Sequence, residues 1–245
     1  MRNSIKRIAL LALIVVTSFQ LKAQFHFGLN AMATFPVSHW ADEGAANFGT
    51  NPYYGNASTI GAGFGFRFQY DLSWRYNGIL TPFVDINGLW NQKNKETKEL
   101  YDEYSCTLAQ YVNAPIMAGA MYRYFFDYTK PFWGVFAEGA LGVDLLYITP
   151  EGWESHLQKY DISPAFAIRI GGGLCVTPRF NIGVHYAFYG NHKINITEST
   201  EGVEFPKEIE LRIPEKLKEN AVVVKFTYII KGTKLKQLPI RNSPL

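Results

Sequence analysis

Hydrophobic and polar residues alternate along much of the chain between Gln24 and Ile230. The clearest stretch runs from Thr59 to Ser73, where apolar side chains take every second position and glycine or polar residues lie between them. A period of two indicates a β-strand with one apolar face and excludes an α-helix, whose period is about 3.6. The pattern recurs and predicts eight strands, at residues 24–36, 58–73, 79–91, 109–126, 132–148, 163–177, 180–190 and 220–231.

The predicted connections are alternately short and long. Residues 74–78, 127–131 and 178–179 form the short ones, and residues 37–57, 92–108, 149–162 and 191–219 the long ones. An even number of strands with this alternation places the tight turns at one end and the large loops at the other, as in bacterial outer-membrane barrels. The predicted fold is therefore all-β, an eight-stranded antiparallel up-and-down transmembrane β-barrel.

The composition of the two strand faces indicates which one is inside. The chain has 18 Phe, 15 Tyr and 5 Trp, and many of them fall on the apolar face. The other face carries few charges and many small residues, among them Gly61, Gly63, Gly65, Gly119, Gly171 and Gly173. A water-soluble carrier barrel would cover its outside with charge. We therefore expect the apolar face to point outward to lipid, the alternative being a secreted barrel with that face inside.

The first 23 residues have the features of a secretory signal peptide, with a basic start, an apolar run from Ile8 to Val16 and Ala23 before the expected cut. From Gln24 onward the chain has 20 basic and 21 acidic residues, a net charge of −1, so it gives no reason to expect a nucleic-acid partner. Residues 24–230 are the predicted barrel. Residues 231–245 are a predicted basic periplasmic tail, with Lys231, Lys234, Lys236 and Arg241.

Three short segments resemble a known family. They are Leu80–Val84 (LTPFV), Tyr111–Gly119 (YVNAPIMAG) and Phe136–Gly139 (FAEG), and the Ala23–Gln24 junction is similar to the usual cleavage site of that group. The chain resembles the outer-membrane β-barrels of Bacteroidota, often described as porin-like or PorT-like. The resemblance implies the barrel fold and outer-membrane location. The activity of this family is mostly unassigned, and the resemblance implies a PorT-like role in protein secretion as one possibility.

Charged residues on the inward face are the most informative candidates for chemistry. Arg67 and Asp85 centre on one short turn and Arg123 and Glu138 on another, so each pair is expected to meet inside the barrel. A barrel of eight strands is filled by its own side chains, and charges in it must be matched. We expect an ion-pair network that plugs the lumen, and the alternative is a path for ions or protons through the same residues. The network comprises Arg67, Asp85, Arg123, Glu138, Asp144, Arg169 and Lys225.

Catalytic chemistry has weaker support. His26 and His185 are expected to point inward near the turns, whereas His39, His156 and His192 fall in predicted loops. Glu154-Ser155-His156 places three suggestive residue types together, but neighbours in sequence rarely face one another. We therefore expect no enzyme activity, no cofactor and no metal site, and a lipid-modifying envelope enzyme is the less favoured reading. Cys106 and Cys175 are expected to lie at opposite ends of the barrel as free thiols.

The long loops are the other candidates, because binding segments usually lie on a rigid scaffold. Trp40, Tyr53, Tyr54 and Trp153 are predicted loop aromatics that could contact an extracellular protein or glycan. The predicted function is a non-enzymatic outer-membrane scaffold that contacts membrane lipid and acts through its loops in binding, adhesion or envelope integrity. A narrow porin-like channel is the alternative.

Overall fold

The structure is a computed structural model that describes residues 24–37, 58–73, 78–93, 95, 98–99, 102, 106–126, 133–153, 156–198 and 216–230. The strands are β1 (Gln24–Val37), β2 (Ser58–Ser73), β3 (Gly78–Lys93), β4 (Cys106–Thr107), β5 (Tyr111–Asn113), β6 (Ile116–Phe125), β7 (Gly134–Ile148), β8 (Glu151–Trp153), β9 (His156–Tyr160), β10 (Ser163–Thr177), β11 (Phe180–Lys193), β12 (Ile196–Glu198) and β13 (Lys216–Ile229).

Nine of these strands close into a barrel in which every neighbour is antiparallel. The order is β1, β2, β3, then β5 with β6, β7, β10, β11 and β13, which pairs again with β1. β5 and β6 are one strand interrupted at Ala114 and Pro115, since proline has no N–H to donate to the ladder. The ladder continues across the break, because Ala114 N donates to Leu145 O at 2.9 Å and Asn87 N donates to Pro115 O at 3.1 Å. The predicted eight-stranded antiparallel barrel is confirmed.

The apolar face of the barrel strands points outward, as expected. Phe25 is 64% exposed, Trp133 60% and Leu141 60%, whereas Arg67 and Asp85 on the opposite face are 1% and 0% exposed. Aromatic and aliphatic side chains thus cover the outside of the barrel, while polar and charged side chains lie in the lumen. The alternative with the aromatic face turned inward is excluded by this arrangement.

Glycine on the inner face leaves room for the polar side chains. A Cβ atom at Gly65 would lie 2.2 Å from Asn87 Oδ1 and 2.4 Å from the carbonyl oxygen of Ile86. A methyl group at Gly65 therefore requires a neighbour to move. The lumen at this level is therefore packed to the limit set by the backbone.

A β-bulge in β11 changes which residues of that strand face inward. The register with β13 shifts between Phe188 and Gly190, and Gly190 has a φ of 119°, a conformation that favours glycine. Up to the bulge the odd-numbered residues face the lumen; beyond it His192 does, with an exposure of 0%. The prediction that placed His192 in a loop from residue 191 to 219 is therefore wrong, since β11 continues to Lys193 and β13 begins at Lys216.

A second, small sheet is built by the segments predicted as long loops. Its strand order is β12, β9, β8 and β4, all paired antiparallel. Seven buried side chains at the loop end of the barrel form what we call the loop-end apolar cluster: Ala109, Tyr111, Leu146, Ile148, Tyr160, Ile194 and Leu217. Within the described ranges no helix is long and apolar enough to cross a membrane.

Candidate functional site

The lumen holds the charged residues in three levels along the barrel. The middle level, here called the central cluster, contains Arg67, Asp85, Glu138, Arg169, His185 and Lys225, which are 0–4% exposed. The level nearer the tight turns contains Asp71 and Arg123. The level nearer the large loops contains Asp144 and Glu219. All of these side chains come from inward positions of the barrel strands, where alternation places them.

Arg67 and Asp85 are the closest-matched pair of the central cluster. They lie directly opposite each other in the β2–β3 register, and Arg67 Nε donates to Asp85 Oδ1 at 2.7 Å while Nη2 donates to Oδ2 at 2.8 Å. The guanidinium also lies over the ring of Phe83, 3.8 Å from its centroid. The predicted pairing of Arg67 with Asp85 is confirmed.

Glu138 joins the remaining cations of the cluster. It accepts from Arg67 Nη2 at 3.0 Å, lies 3.3 Å from Arg169 Nη2, and also accepts from Lys225 Nζ. Arg169 donates in turn to Asp85, and His185 Nε2 is 3.0 Å from Glu138 Oε1. Two carboxylates are thus shared among three cations from different strands, which ties five strands of the barrel together.

The predicted pairing of Arg123 with Glu138 is wrong. In the β6–β7 register Glu138 lies opposite Met121, and Arg123 lies opposite Phe136, so the hairpin centre is displaced by one residue from the predicted one. Arg123 instead donates to Asp71 Oδ1 at 2.6 Å and to Thr81 Oγ1 at 3.0 Å. The observed centre also lies within the predicted turn of residues 127–131, and a turn of this length permits more than one register, so the residue sum alone did not fix the pairing.

Asp144 lies apart from Glu138, although both face the lumen from β7. It belongs to the level nearer the large loops, here called the mouth cluster, which comprises Asn113, Asp144, His192 and Glu219, each 0% exposed. Asn113 Nδ2 donates to Asp144 Oδ2 at 2.7 Å and also to Glu219 Oε2. Sequence reasoning missed His192 and Glu219, because both fell in the predicted loop of residues 191–219. The bulge at Gly190 also reverses the alternation beyond residue 190, so extending the predicted strand would have turned His192 outward.

The charges of the described lumen are nearly balanced. Five buried carboxylates (Asp71, Asp85, Glu138, Asp144 and Glu219) face four buried cations (Arg67, Arg123, Arg169 and Lys225), together with three histidines. Three of the cations are in the central cluster, where two carboxylates lie. The mouth cluster has two carboxylates, which form ion-pair contacts with His192, and the charge of Lys93 also acts on Glu219. The surplus of negative charge is therefore concentrated at the mouth.

Several sequence candidates lie outside the described residues. They are Trp40, Tyr53 and Tyr54, the first 23 residues and the tail from residue 231. Trp153 and His156 belong to β8 and β9, but their side chains are not among those described, and neither are Glu154 and Ser155. Their predicted roles stay predictions. Cys175 is a free thiol that is 0% exposed in β10, close to the tight turn at residues 178–179.

No protein-family model and no curated protein sequence matches the chain. Solved structures with a similar fold include Neisserial surface protein A (NspA), with 14% identity and a TM-score of 0.41, covering 84% of this chain and 97% of that one. Another is Ail, the attachment invasion locus protein of Yersinia pestis, with 8% identity and a TM-score of 0.35, covering 84% of this chain and 97% of that one.

Proposed function

We propose that this chain is an outer-membrane β-barrel whose lumen is closed, and that it serves as a non-enzymatic scaffold for its extracellular loops. One observation carries the proposal: the same strands expose aromatic and aliphatic side chains outward and bury matched charges inward. An apolar belt of this kind is stable against acyl chains and would be unfavourable in water. Membrane lipid is thus the first partner, and no nucleic acid is expected.

The closed lumen follows from the burial of the central cluster. Its charged side chains are at most 4% exposed, so water has no room beside them, and ions passing this level would have to displace paired charges. Conduction needs binding that is weak enough for the ion to leave. A network joined by bidentate and charge-assisted hydrogen bonds favours a rigid plug over a pathway.

A closed and rigid barrel leaves the loops as the part that can act on other molecules. We propose that they bind an extracellular protein or glycan, or support envelope integrity, with Trp40, Tyr53, Tyr54 and Trp153 as the candidate contact residues. The small sheet of β4, β8, β9 and β12 gives part of this region a defined framework. Membership of the porin-like or PorT-like family of Bacteroidota stays a prediction from resemblance.

Planar bilayer recordings test the closed scaffold. The full-length mature chain, refolded in detergent, is expected to produce no stable conductance step, while folding is verified by circular dichroism and by a heat-dependent shift on gels. A control variant in which Arg67, Asp85 and Glu138 are all replaced by serine should produce steps, because it removes the plug. Stable steps from the unmodified protein would refute the closed lumen and establish the channel alternative.

A loop-shortened barrel tests the scaffold role. In cells that lack the protein, the full chain is expected to restore resistance to detergent, and a chain with residues 40–55 and 200–214 each replaced by a short Gly-Ser turn is expected not to restore it. Both chains should be present in the outer-membrane fraction in equal amount. Equal rescue by both chains would assign the role to the barrel wall rather than to its loops.

A further inference from the structure

The mouth cluster brings three ligating side chains together from separate barrel strands. One oxygen of Asp144 in β7, one oxygen of Glu219 in β13 and one ring nitrogen of His192 in β11 all lie within 4.8 Å of one another. Each of these residues is 0% exposed. Their proximity depends on the bulge at Gly190, which turns His192 inward and sets Gly190 opposite Glu219 in the register.

The imidazole of His192 is oriented by a hydrogen bond on its other nitrogen. Nδ1 lies 2.8 Å from the carbonyl oxygen of Ser163. A carbonyl only accepts, so Nδ1 carries a hydrogen and donates it. This leaves Nε2 directed at the carboxylates, 3.2 Å from Asp144 Oδ2 and 3.9 Å from Glu219 Oε2. Histidines that bind metals are commonly fixed in this way, with one nitrogen on a backbone carbonyl and the other toward the ion.

On the three ligating residues, three buried atoms lack a hydrogen bond within the described structure. They are His192 Nε2, Asp144 Oδ1 and Glu219 Oε1. Asn113 Nδ2 donates a hydrogen bond to each of the two carboxylates, but a neutral amide does not cancel two negative charges. Buried carboxylates are strongly unfavourable unless a cation or a proton compensates them, and the charge of Lys93 already acts on Glu219. The unsatisfied atoms of Asp144, His192 and Glu219 converge at one point, where a further positive charge would be stabilised.

We propose that Asp144, His192 and Glu219 bind one divalent first-row transition-metal ion in the mouth of the barrel. One imidazole nitrogen and two carboxylates form a donor set that suits Zn²⁺ and Mn²⁺, whereas Ca²⁺ and Mg²⁺ prefer oxygen ligands alone. The competing occupant is a proton on His192 Nε2, which would turn the cluster into an ion pair. The geometry inside the lumen supports this site whether or not the loops have the proposed scaffold role.

The surroundings indicate a structural ion rather than a catalytic one. Leu146, Ile194 and Leu217 are the next inward residues toward the loops and belong to the loop-end apolar cluster. They line the lumen on the loop side of the ligands, which are themselves 0% exposed among the described residues. An ion bound here cross-links β7, β11 and β13 beneath the small loop sheet and is expected to enter during folding.

His185 provides a matched control for His192. It is also a buried histidine of β11 and has its Nε2 3.0 Å from Glu138 Oε1. That carboxylate, however, is already paired with Arg67, Arg169 and Lys225, and their charges exclude a further cation. His185→Gln therefore removes a lumen histidine without touching the mouth cluster.

Refolding with and without metal tests the site. The urea-unfolded mature chain is refolded in detergent with ZnCl₂ or with EDTA, freed of unbound ions by gel filtration, and analysed for metal content and melting temperature. One Zn²⁺ per chain is expected in the unmodified protein and in His185→Gln, and none in His192→Gln. Zinc should raise the melting temperature of the first two by roughly 5–10 °C relative to EDTA.

Two results would overturn the proposal. One is a folded, unmodified chain without zinc; the other is an equal zinc content in all three chains. Should His192→Gln fail to fold, the unmodified protein refolded with Co²⁺ decides the matter by its visible absorption. Bands of a low-coordinate Co²⁺ with a nitrogen ligand support the site, and the spectrum of hexaaqua Co²⁺ refutes it.

Discussion

Arg67 and Asp85 form a two-point ion pair inside the barrel, with Nε–Oδ1 and Nη2–Oδ2 distances of 2.7 and 2.8 Å across the β2–β3 hairpin. Both side chains are almost fully buried. Each of the two buried charges depends on the other for compensation, so the strength of the pair can be measured as a coupling free energy.

A double-mutant cycle measures how strongly the two residues depend on each other. Arg67→Ala and Asp85→Ala are each expected to lower the free energy of unfolding by about 3–5 kcal/mol, since each leaves the other charge without its main partner. The double variant should cost less than the sum. Urea unfolding in lipid vesicles gives the three values, and additive losses would show that the pair is not coupled.

Charge balance should matter more than side-chain shape in the central cluster. Asp85→Asn keeps the shape but leaves three cations around Glu138, whereas Lys225→Met removes a cation and leaves two arginines with two carboxylates. We expect the loss of unfolding free energy for Lys225→Met to be less than roughly half that for Asp85→Asn. Urea titration compares them, and the reverse order would mean that the surplus cation is essential.

Alanine substitutions at two glycines on opposite faces distinguish the effect of lumen packing from the effect of backbone flexibility. A Cβ at Gly65 would collide with Asn87 and Ile86, whereas a Cβ at Gly139, on the outer face, would meet no atom within 4 Å. Gly65→Ala is expected to destabilise the barrel by about 1–3 kcal/mol, the usual cost of overpacking. Gly139→Ala should be neutral or slightly stabilising, because alanine restricts the unfolded chain. Equal effects in thermal unfolding would contradict a tightly filled lumen.

The barrel could be predicted from the sequence because alternation, aromatic content and loop lengths all report the same architecture. The period of two in β2 fixes its face residue by residue, and a hairpin centred on the short turn before β3 places Arg67 opposite Asp85. Neither inference requires knowledge of distant contacts.

The mouth cluster could not be predicted in this way. A single bulge at Gly190 reverses the inward face of β11, and a glycine inside a strand does not by itself reveal which register it creates. Contacts between strands far apart in sequence, such as the hydrogen bond from Asn113 to Glu219, depend on barrel closure. The pairing of Arg123 with Asp71 likewise links residues 52 positions apart, beyond the reach of hairpin symmetry.

A charge on the outer wall tests whether this face contacts lipid. Leu141 lies midway along β7 and is 60% exposed, so in water its replacement by arginine would be nearly neutral. In a bilayer, Leu141→Arg is expected to cost about 2–4 kcal/mol, the value for a cation near the midplane of a transmembrane barrel.

The matched control for that variant is Gln92→Arg, at an exposed position near the loop end of β3, where the cost should be about 0–1 kcal/mol. Both proteins are refolded into vesicles and unfolded with urea. The difference between their free energies of unfolding separates the effect of depth in the membrane from the effect of adding a charge. If Leu141→Arg were as stable as Gln92→Arg, the aromatic outer belt would not be a lipid-facing surface, and the proposed outer-membrane location would fail with it.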